Sequence, residues 1–184
     1  METRKLGKIN EDISLLGFGT MRYPRLGEGF DIEQLRAMFD TAMNAGVNYY
    51  DTAYVYDNGQ SEQLLGELLI DRYPRQRFYV ADKMPGWKLP EGGGPAEMMA
   101  ILDESLERLH TDYVDFYLIH SLSVESWSAL LDKGVGDFLA RLRESAKVRY
   151  IGFSFHDLPE QLPPIVDFFD WDFAQIQLNY FDWE

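Results

Sequence analysis

The sequence predicts a parallel α/β fold of barrel type, and three observations carry that prediction. Short β-rich runs alternate with amphipathic helical stretches, the runs start at regular intervals, and most of them end in a polar or ionisable residue. The runs are residues 14–19, 47–51, 78–83, 113–119, 148–152 and 173–177, with starts 33, 31, 35, 35 and 25 residues apart. Such intervals fit strand–helix units, in which a crossover helix joins two parallel strands.

The intervening helices carry their own start and stop signals. Asp31 with Gln34 three residues on reads as a capping box; Ile32, Leu35, Met38, Phe39, Ala42 and Met43 share a face; Gly46 sits where the helix should stop. Ser61 is expected to cap a helix that turns Leu64, Leu65, Leu68 and Leu69 inward. Pro95 suits the first turn of a helix running through Met98, Ile101, Leu102, Leu106 and Leu109. Phe138, Leu139 and Leu142 mark another, while Pro159, Pro163 and Pro164 predict a short or broken helix over 158–169. The glycine-rich stretch 91–95 reads as a loop, and no interdomain linker is evident.

Composition narrows the function. Of 184 residues, 17 are Lys or Arg and 31 are Asp or Glu, a formal charge of −14. A surface so acidic repels phosphate backbones and anionic lipids, which argues against nucleic acid and membrane as partners. The chain is 46% hydrophobic and 15% aromatic, enough for a core and incompatible with disorder. Having no cysteine, it holds no disulfide, thiolate metal site or cysteine nucleophile. Charges scattered through residues 1–16 do not resemble a signal peptide, and no run approaches the roughly 18 apolar residues of a membrane span. A soluble, cytoplasmic protein is expected.

The strand ends carry Asp51, Lys83, His120, Ser154, and Gln175 with Gln177. A doubly wound sheet would concentrate its chemistry at one switch point, whereas a barrel brings every strand end to one mouth, so the distribution favours a (β/α)8 barrel of TIM-barrel type. Alone, Asp51 reads as a turn cap, Tyr56 as a half-buried loop aromatic and His120 as a core histidine. Lys83 is odder, because lysine at a buried strand end needs a carboxylate. Together, Asp51, Tyr56, Lys83 and His120 make a proton-transfer site. An ammonium beside a phenol favours the phenolate, so Tyr56 can give up a proton while Asp51 holds Lys83 charged and His120 directs a carbonyl oxygen.

These residues resemble the aldo-keto reductase family. The resemblance rests on Gly17-Phe18-Gly19-Thr20-Met21, on Asp51-Thr52-Ala53-Tyr54-Val55-Tyr56 with its five-residue Asp-to-Tyr separation, on Lys83, and on Asp115-Phe116-Tyr117-Leu118-Ile119-His120. It covers essentially the whole chain, from Arg4-Lys5-Leu6-Gly7, which in the family belongs to a hairpin closing the barrel floor, to Gln175-Ile176-Gln177. It implies reduction of an aldehyde or ketone by hydride transfer from NADPH or NADH. Tyr56 is then the general acid, Lys83 and Asp51 its tuning pair, and His120 the residue orienting the small-molecule carbonyl. Gly19, Thr20 and Met21 match the nicotinamide side of the cleft, Ser154 and Gln175 the carboxamide contacts, and Trp87 an aromatic of the substrate pocket, with packing in a mobile loop as the alternative. Where many members have Ser-Asn, this chain has Gly152-Phe153-Ser154-Phe155-His156-Asp157, which leaves the second carboxamide contact open. That variant, with the stretch from Trp171 to Tyr180, is similar to a subgroup whose barrel is followed by a ferredoxin-like iron–sulfur module, which this sequence does not contain.

Other signals fail on inspection. Gly17-Phe18-Gly19 lacks a third glycine and an immediate helix, so it is no dinucleotide loop. In Gly152-Phe153-Ser154-Phe155-His156 a histidine stands where a nucleophile elbow needs glycine. His110, His120 and His156 lack metal-ligand spacing, so no metal is expected.

Length adds a final expectation. A whole barrel takes about 250 residues and eight strands; about six units are counted here, so residues 1–184 read as a barrel domain lacking its last two strands and the phosphate-binding end. The competing reading is a noncatalytic or truncated barrel fragment acting as a binding or assembly subunit. Open edges predict self-association.

Overall fold

The computed structural model describes residues 1–179 and 181. A hairpin comes first, β1 (Thr3–Lys5) antiparallel to β2 (Asp12–Ser14), then β3 (Phe18–Gly19) and a second small hairpin, β4 (Arg25–Leu26) with β5 (Gly29–Phe30). The alternation follows: α1 (Ile32–Asn44), β6 (Tyr49–Asp51), α2 (Gln60–Leu65) widening into a π turn (Gly66–Ile70), β7 (Tyr79–Met84), α3 (Pro95–Arg108) and β8 (Val114–Leu122). The last described elements are α4 (Val124–Asp132), α5 (Val135–Glu144), β9 (Val148–Phe155), α6 (Pro163–Val166) and β10 (Phe173–Ile176).

Strands β3, β6, β7, β8, β9 and β10 form one sheet in chain order, each pair parallel. This is a barrel wall of six strands, left open between β3 and β10 among the described residues. Strand period two sorts the wall into two faces. Tyr49, Tyr79, Ala81, Phe116, Leu118, Tyr150 and Phe173 fill the inner face, where Leu6, Ile9 and Ile13 of the first hairpin join them. Tyr50, Val80, Met84, Tyr117, Ile119, Ile151 and Phe153 form the outer face and pack against the helices in a larger core. Gly152 makes the inner packing possible, since a Cβ there would lie 2.6 Å from the Phe173 ring and carbonyl oxygen.

The helix signals hold where burial supports them. Asp31 accepts from the Gln34 amide, and Leu35, Phe39, Ala42 and Met43 are buried; Ile32 is exposed and Met38 half-buried, so the inward stripe is narrower than the sequence predicts. Pro95 begins α3 behind Gly94, whose amide donates to Glu97. The proline-rich segment gives only a 3-10 turn and the four-residue α6.

Two expectations are corrected. Residues 14–19 are not one strand: Ser14 ends β2 and is tied to Asn48, Leu15 and Leu16 are exposed, and β3 keeps only Phe18 and Gly19. Ser61 does not cap α2 but lies inside it, fully buried, with its hydroxyl turned to Thr20 and Thr52. Tyr180 and Glu184, where the sequence motifs and the chain end, lie outside the described residues. Among those described, no helix is long and apolar enough to cross a membrane.

Candidate active site

The inner-face alternation continues past the apolar layers to the C-terminal ends of the strands. Asp51 follows Tyr49 on β6, Lys83 follows Ala81 on β7, His120 follows Leu118 on β8, and Ser154 follows Gly152 on β9, where it pairs in register with Gln175 of β10. Tyr56 stands in the 3-10 turn after β6. Tyr56, Lys83, His120, Ser154, Gln175 and His156 line one cavity of about 170 Å³.

Lys83 organises this cluster. Its Nζ donates to Asp51 Oδ1 at 2.5 Å and to the Thr52 carbonyl at 2.7 Å, and lies 3.4 Å from the Tyr56 hydroxyl. An ammonium has three donors, and these three acceptors use them all. The Lys83 side chain is 3% exposed, so its charge depends on that partnership. Behind it, Thr20 Oγ1 donates to the Asp51 carbonyl, and the Ser61 hydroxyl reaches Thr20 and Thr52, fixing the backbone that Lys83 contacts.

His120 is packed edge-on to Tyr56 at 5.8 Å and against Trp87 at 5.2 Å between ring centroids. Burial, with the charges of Lys83 and His156 adding to it, lowers its pKa to about 3, so the imidazole is neutral at physiological pH. Its Nδ1 is buried without a partner among the described residues, as is Asp51 Oδ2. The strand irregularity after it has a backbone signature: Ser121 adopts φ +55° and donates its amide to Ser154 Oγ at 2.7 Å, where the β8–β9 register shifts.

The remaining candidates divide. Thr20 is fully buried and its hydroxyl faces the wall behind Asp51; Gly19 and Met21 are exposed beside it. Trp87 stands on the far side of His120, in a second cavity of about 290 Å³ against Ser126, Ala129 and Leu130 of α4. Sequence reasoning missed the Thr52 carbonyl, which any residue type supplies, and read His156 as a departure from a motif and as a histidine without metal-ligand spacing, not as a residue of this cavity. Its place two residues after Ser154, in the same alternation, was the available signal.

A curved parallel wall whose strand ends gather Asp, Tyr, Lys and His at one mouth defines the β/α-barrel class of protein. The chain belongs to the aldo/keto reductase family, whose model matches residues 15–184. It is 31% identical over 161 residues to an uncharacterized oxidoreductase of Bacillus subtilis, covering 84% of this chain and 49% of that protein. Its fold is similar to an aldo-keto reductase from Bacillus halodurans in its holo form, with TM-score 0.79, 27% identity and coverage of 97% of this chain and 58% of that one. It is also similar to an aldo-keto reductase from Klebsiella pneumoniae in complex with NADPH, with TM-score 0.73, 26% identity and coverage of 97% and 58%. The chain thus spans about half the length of the sequence relative and under two thirds of the two structural ones.

Proposed function

We propose that this chain carries the carbonyl-reducing site of an NAD(P)H-dependent oxidoreductase that converts an aldehyde or ketone to an alcohol. The observation that carries the reading is the placement of Lys83 Nζ against Asp51 Oδ1, the Thr52 carbonyl and the Tyr56 hydroxyl. In this reading Tyr56 gives its proton to the carbonyl oxygen, and the adjacent ammonium stabilises the phenolate left behind. Asp51 keeps Lys83 charged and aimed. His120, being neutral, orients the carbonyl oxygen by a hydrogen bond without adding charge.

The groups present fit a nicotinamide. Ser154, which is buried, and Gln175, which is exposed and whose side chain makes no hydrogen bond among the described residues, are adjacent in register and open on the cavity that Tyr56 lines, as carboxamide contacts should be. Gly19 and Met21 would flank the ring, with Thr20 acting through the Asp51 carbonyl. When bound, the reduced nicotinamide supplies a hydride to the carbonyl carbon. The Klebsiella relative's NADPH complex supports this choice of cofactor. Trp87, beyond His120, would flank the substrate.

The test is to titrate NADPH and NADH by fluorescence, then assay an aldehyde with the wild type and Tyr56→Phe. Binding with turnover that falls ~10²–10⁴-fold in the variant, the usual contribution of a positioned acid, is expected. No cofactor binding sinks the reading for this chain and leaves a binding or assembly role. The same preparation tests self-association through the β3 and β10 edges, where Leu16 is 59% and Ile176 53% exposed. Size-exclusion chromatography is expected to show oligomers; a compact monomer refutes it.

A further inference from the structure

Asp82 precedes Lys83 on β7, but alternation turns its side chain to the opposite side of the sheet, beneath α2 and α3. There it meets Glu62 of α2, Ser105 of α3 and Tyr117 of β8. Asp82, Glu62 and Ser105 are fully buried and Tyr117 is 1% exposed.

The charges around this cluster are few. Arg108 of α3 donates to Glu62 Oε2 at 2.9 Å and also holds Glu104, whose other oxygen accepts from Tyr54 at 2.7 Å. Asp103 of α3 is a further acidic neighbour of Tyr117. Lys83 points its ammonium to the inner face, where three acceptors occupy it. Both Asp82 oxygens, Glu62 Oε1, Ser105 Oγ and Tyr117 OH are buried with no well-formed hydrogen bond among the described residues, the Ser105 hydroxyl and the Lys83 amide being the donors beside Asp82.

Two ionised carboxylates here would be acceptors facing acceptors, with one arginine that reaches only Glu62, in an apolar surround. One proton removes the conflict, because a protonated carboxyl is a donor. Glu62 has Arg108 and Asp82 has no cation of its own on that face, so the proton belongs on Asp82.

We propose that Asp82 is protonated at neutral pH and donates a hydrogen bond to Glu62 Oε1, while Glu62 stays ionised against Arg108. The pair is then a neutral acid clamping α2 and α3 onto β7 and β8, with Ser105 and Tyr117 free to rotate their hydroxyls toward the remaining oxygens. The adjacent inner face gains from it as well, since Lys83 keeps Asp51 as its one carboxylate partner. The clamp stands independently of the chemistry proposed at the mouth. Burial first, and the Glu62 charge second, push the Asp82 carboxyl well above the usual range. An acid raised on folding weakens the fold as pH climbs from the ordinary carboxyl range toward the raised value, and the weakening is absent below that range.

The experiment compares wild type with Asp82→Asn, Asp82→Ala and Glu62→Gln. Asparagine mimics the protonated acid and its amide keeps the donor. Asp82→Asn is therefore expected to melt at or above the wild-type temperature at pH 7, with the advantage shrinking toward pH 4. Asp82→Ala, which loses the donor, should melt lower. Infrared spectra at pH 7 should show a protonated-carboxyl stretch in wild type, abolished by Asp82→Asn and retained, shifted, in Glu62→Gln. Absence of that band in wild type overturns the proposal, as does a band that survives Asp82→Asn and vanishes in Glu62→Gln. An Asp82→Asn variant no more stable than Asp82→Ala also overturns it; if Asp82→Asn does not fold, the wild-type and Glu62→Gln spectra decide.

Discussion

At the floor of the sheet, Asp115 accepts from Arg75 at 2.6 Å, from the Val80 amide at 2.9 Å and from Arg149 at 2.9 Å, while Glu11 accepts from Tyr79, Tyr150 and Arg149. At the mouth, Asp51 Oδ2 and His120 Nδ1 are buried with nothing to bond among the described residues. The same residue types, aspartate, arginine or lysine, and tyrosine, serve both ends of the same strands. Their difference is saturation. The floor's ion network is nearly closed on itself and holds the first hairpin to β7 and β9, whereas the mouth leaves polar capacity for a ligand to use. In a β/α barrel that division assigns stability to the N-terminal end of the strands and chemistry to the other.

Four substitutions test the division. Tyr56→Phe should lower turnover of an aldehyde ~10²–10⁴-fold, about 3–5 kcal/mol of activation barrier, while losing only about 1 kcal/mol of stability with the long Lys83 contact. Steady-state kinetics and urea titration of one preparation measure both. Asp115→Ala should do the reverse: it leaves the Val80 amide without its acceptor and takes the buried carboxylate from Arg75 and Arg149, costing about 3–5 kcal/mol of stability. If the folded fraction of that variant also loses its chemistry, floor and mouth are not separable.

His120→Gln sharpens the comparison through pH. The His120 pKa falls from 6.5 to about 3 on folding, so the unfolded chain takes up a proton that the native one refuses. Its contribution to stability is whole above pH 6.5 and is lost as pH falls toward 3, at up to about 1.4 kcal/mol per pH unit. Urea midpoints at pH 7, 6 and 5 should fall more steeply in wild type than in His120→Gln; parallel curves refute a neutral, buried imidazole. Smallest is Glu11→Gln. Hydrogen bonds from Tyr150 and Tyr79, then the charge of Arg149, hold the Glu11 carboxyl below its ordinary 4.5, so its stabilisation is present above that value and lost in acid. The variant should cost about 1 kcal/mol at pH 7 and flatten the acid limb, by thermal melts at pH 7 and 4.

Five of the six strands were readable because each is an apolar run ending near a polar residue, and that pattern also exposed Asp51, Lys83, His120, Ser154 and Gln175. Their spacing places them at one end of parallel strands before any contact is known. Boundaries were less legible. Ser14 looks like strand because it is strand, but of the hairpin rather than of β3. Ser61 looks like a cap because its hydroxyl must bond something, and sequence cannot show that Thr20 and Thr52 are closer than the helix amides. Helix α4 passed unread because only Trp127 and Leu130 are buried along it, too few for a periodic stripe. The Asp82 cluster escaped for a different reason: alternation gives its direction, but Glu62 and Ser105 lie twenty or more residues away on separate helices.

The left-handed turn at Ser121 has a consequence for how the molecule varies. By shifting the β8–β9 register just after His120, and by anchoring its own amide on Ser154, it cuts the segment carrying α4 off from the strand that aims the imidazole. Changes of length or composition in that segment can reshape what approaches Trp87 while the histidine keeps its bearing. The bulge works as a mechanical joint, with a fixed arm on one side and an interchangeable tool on the other.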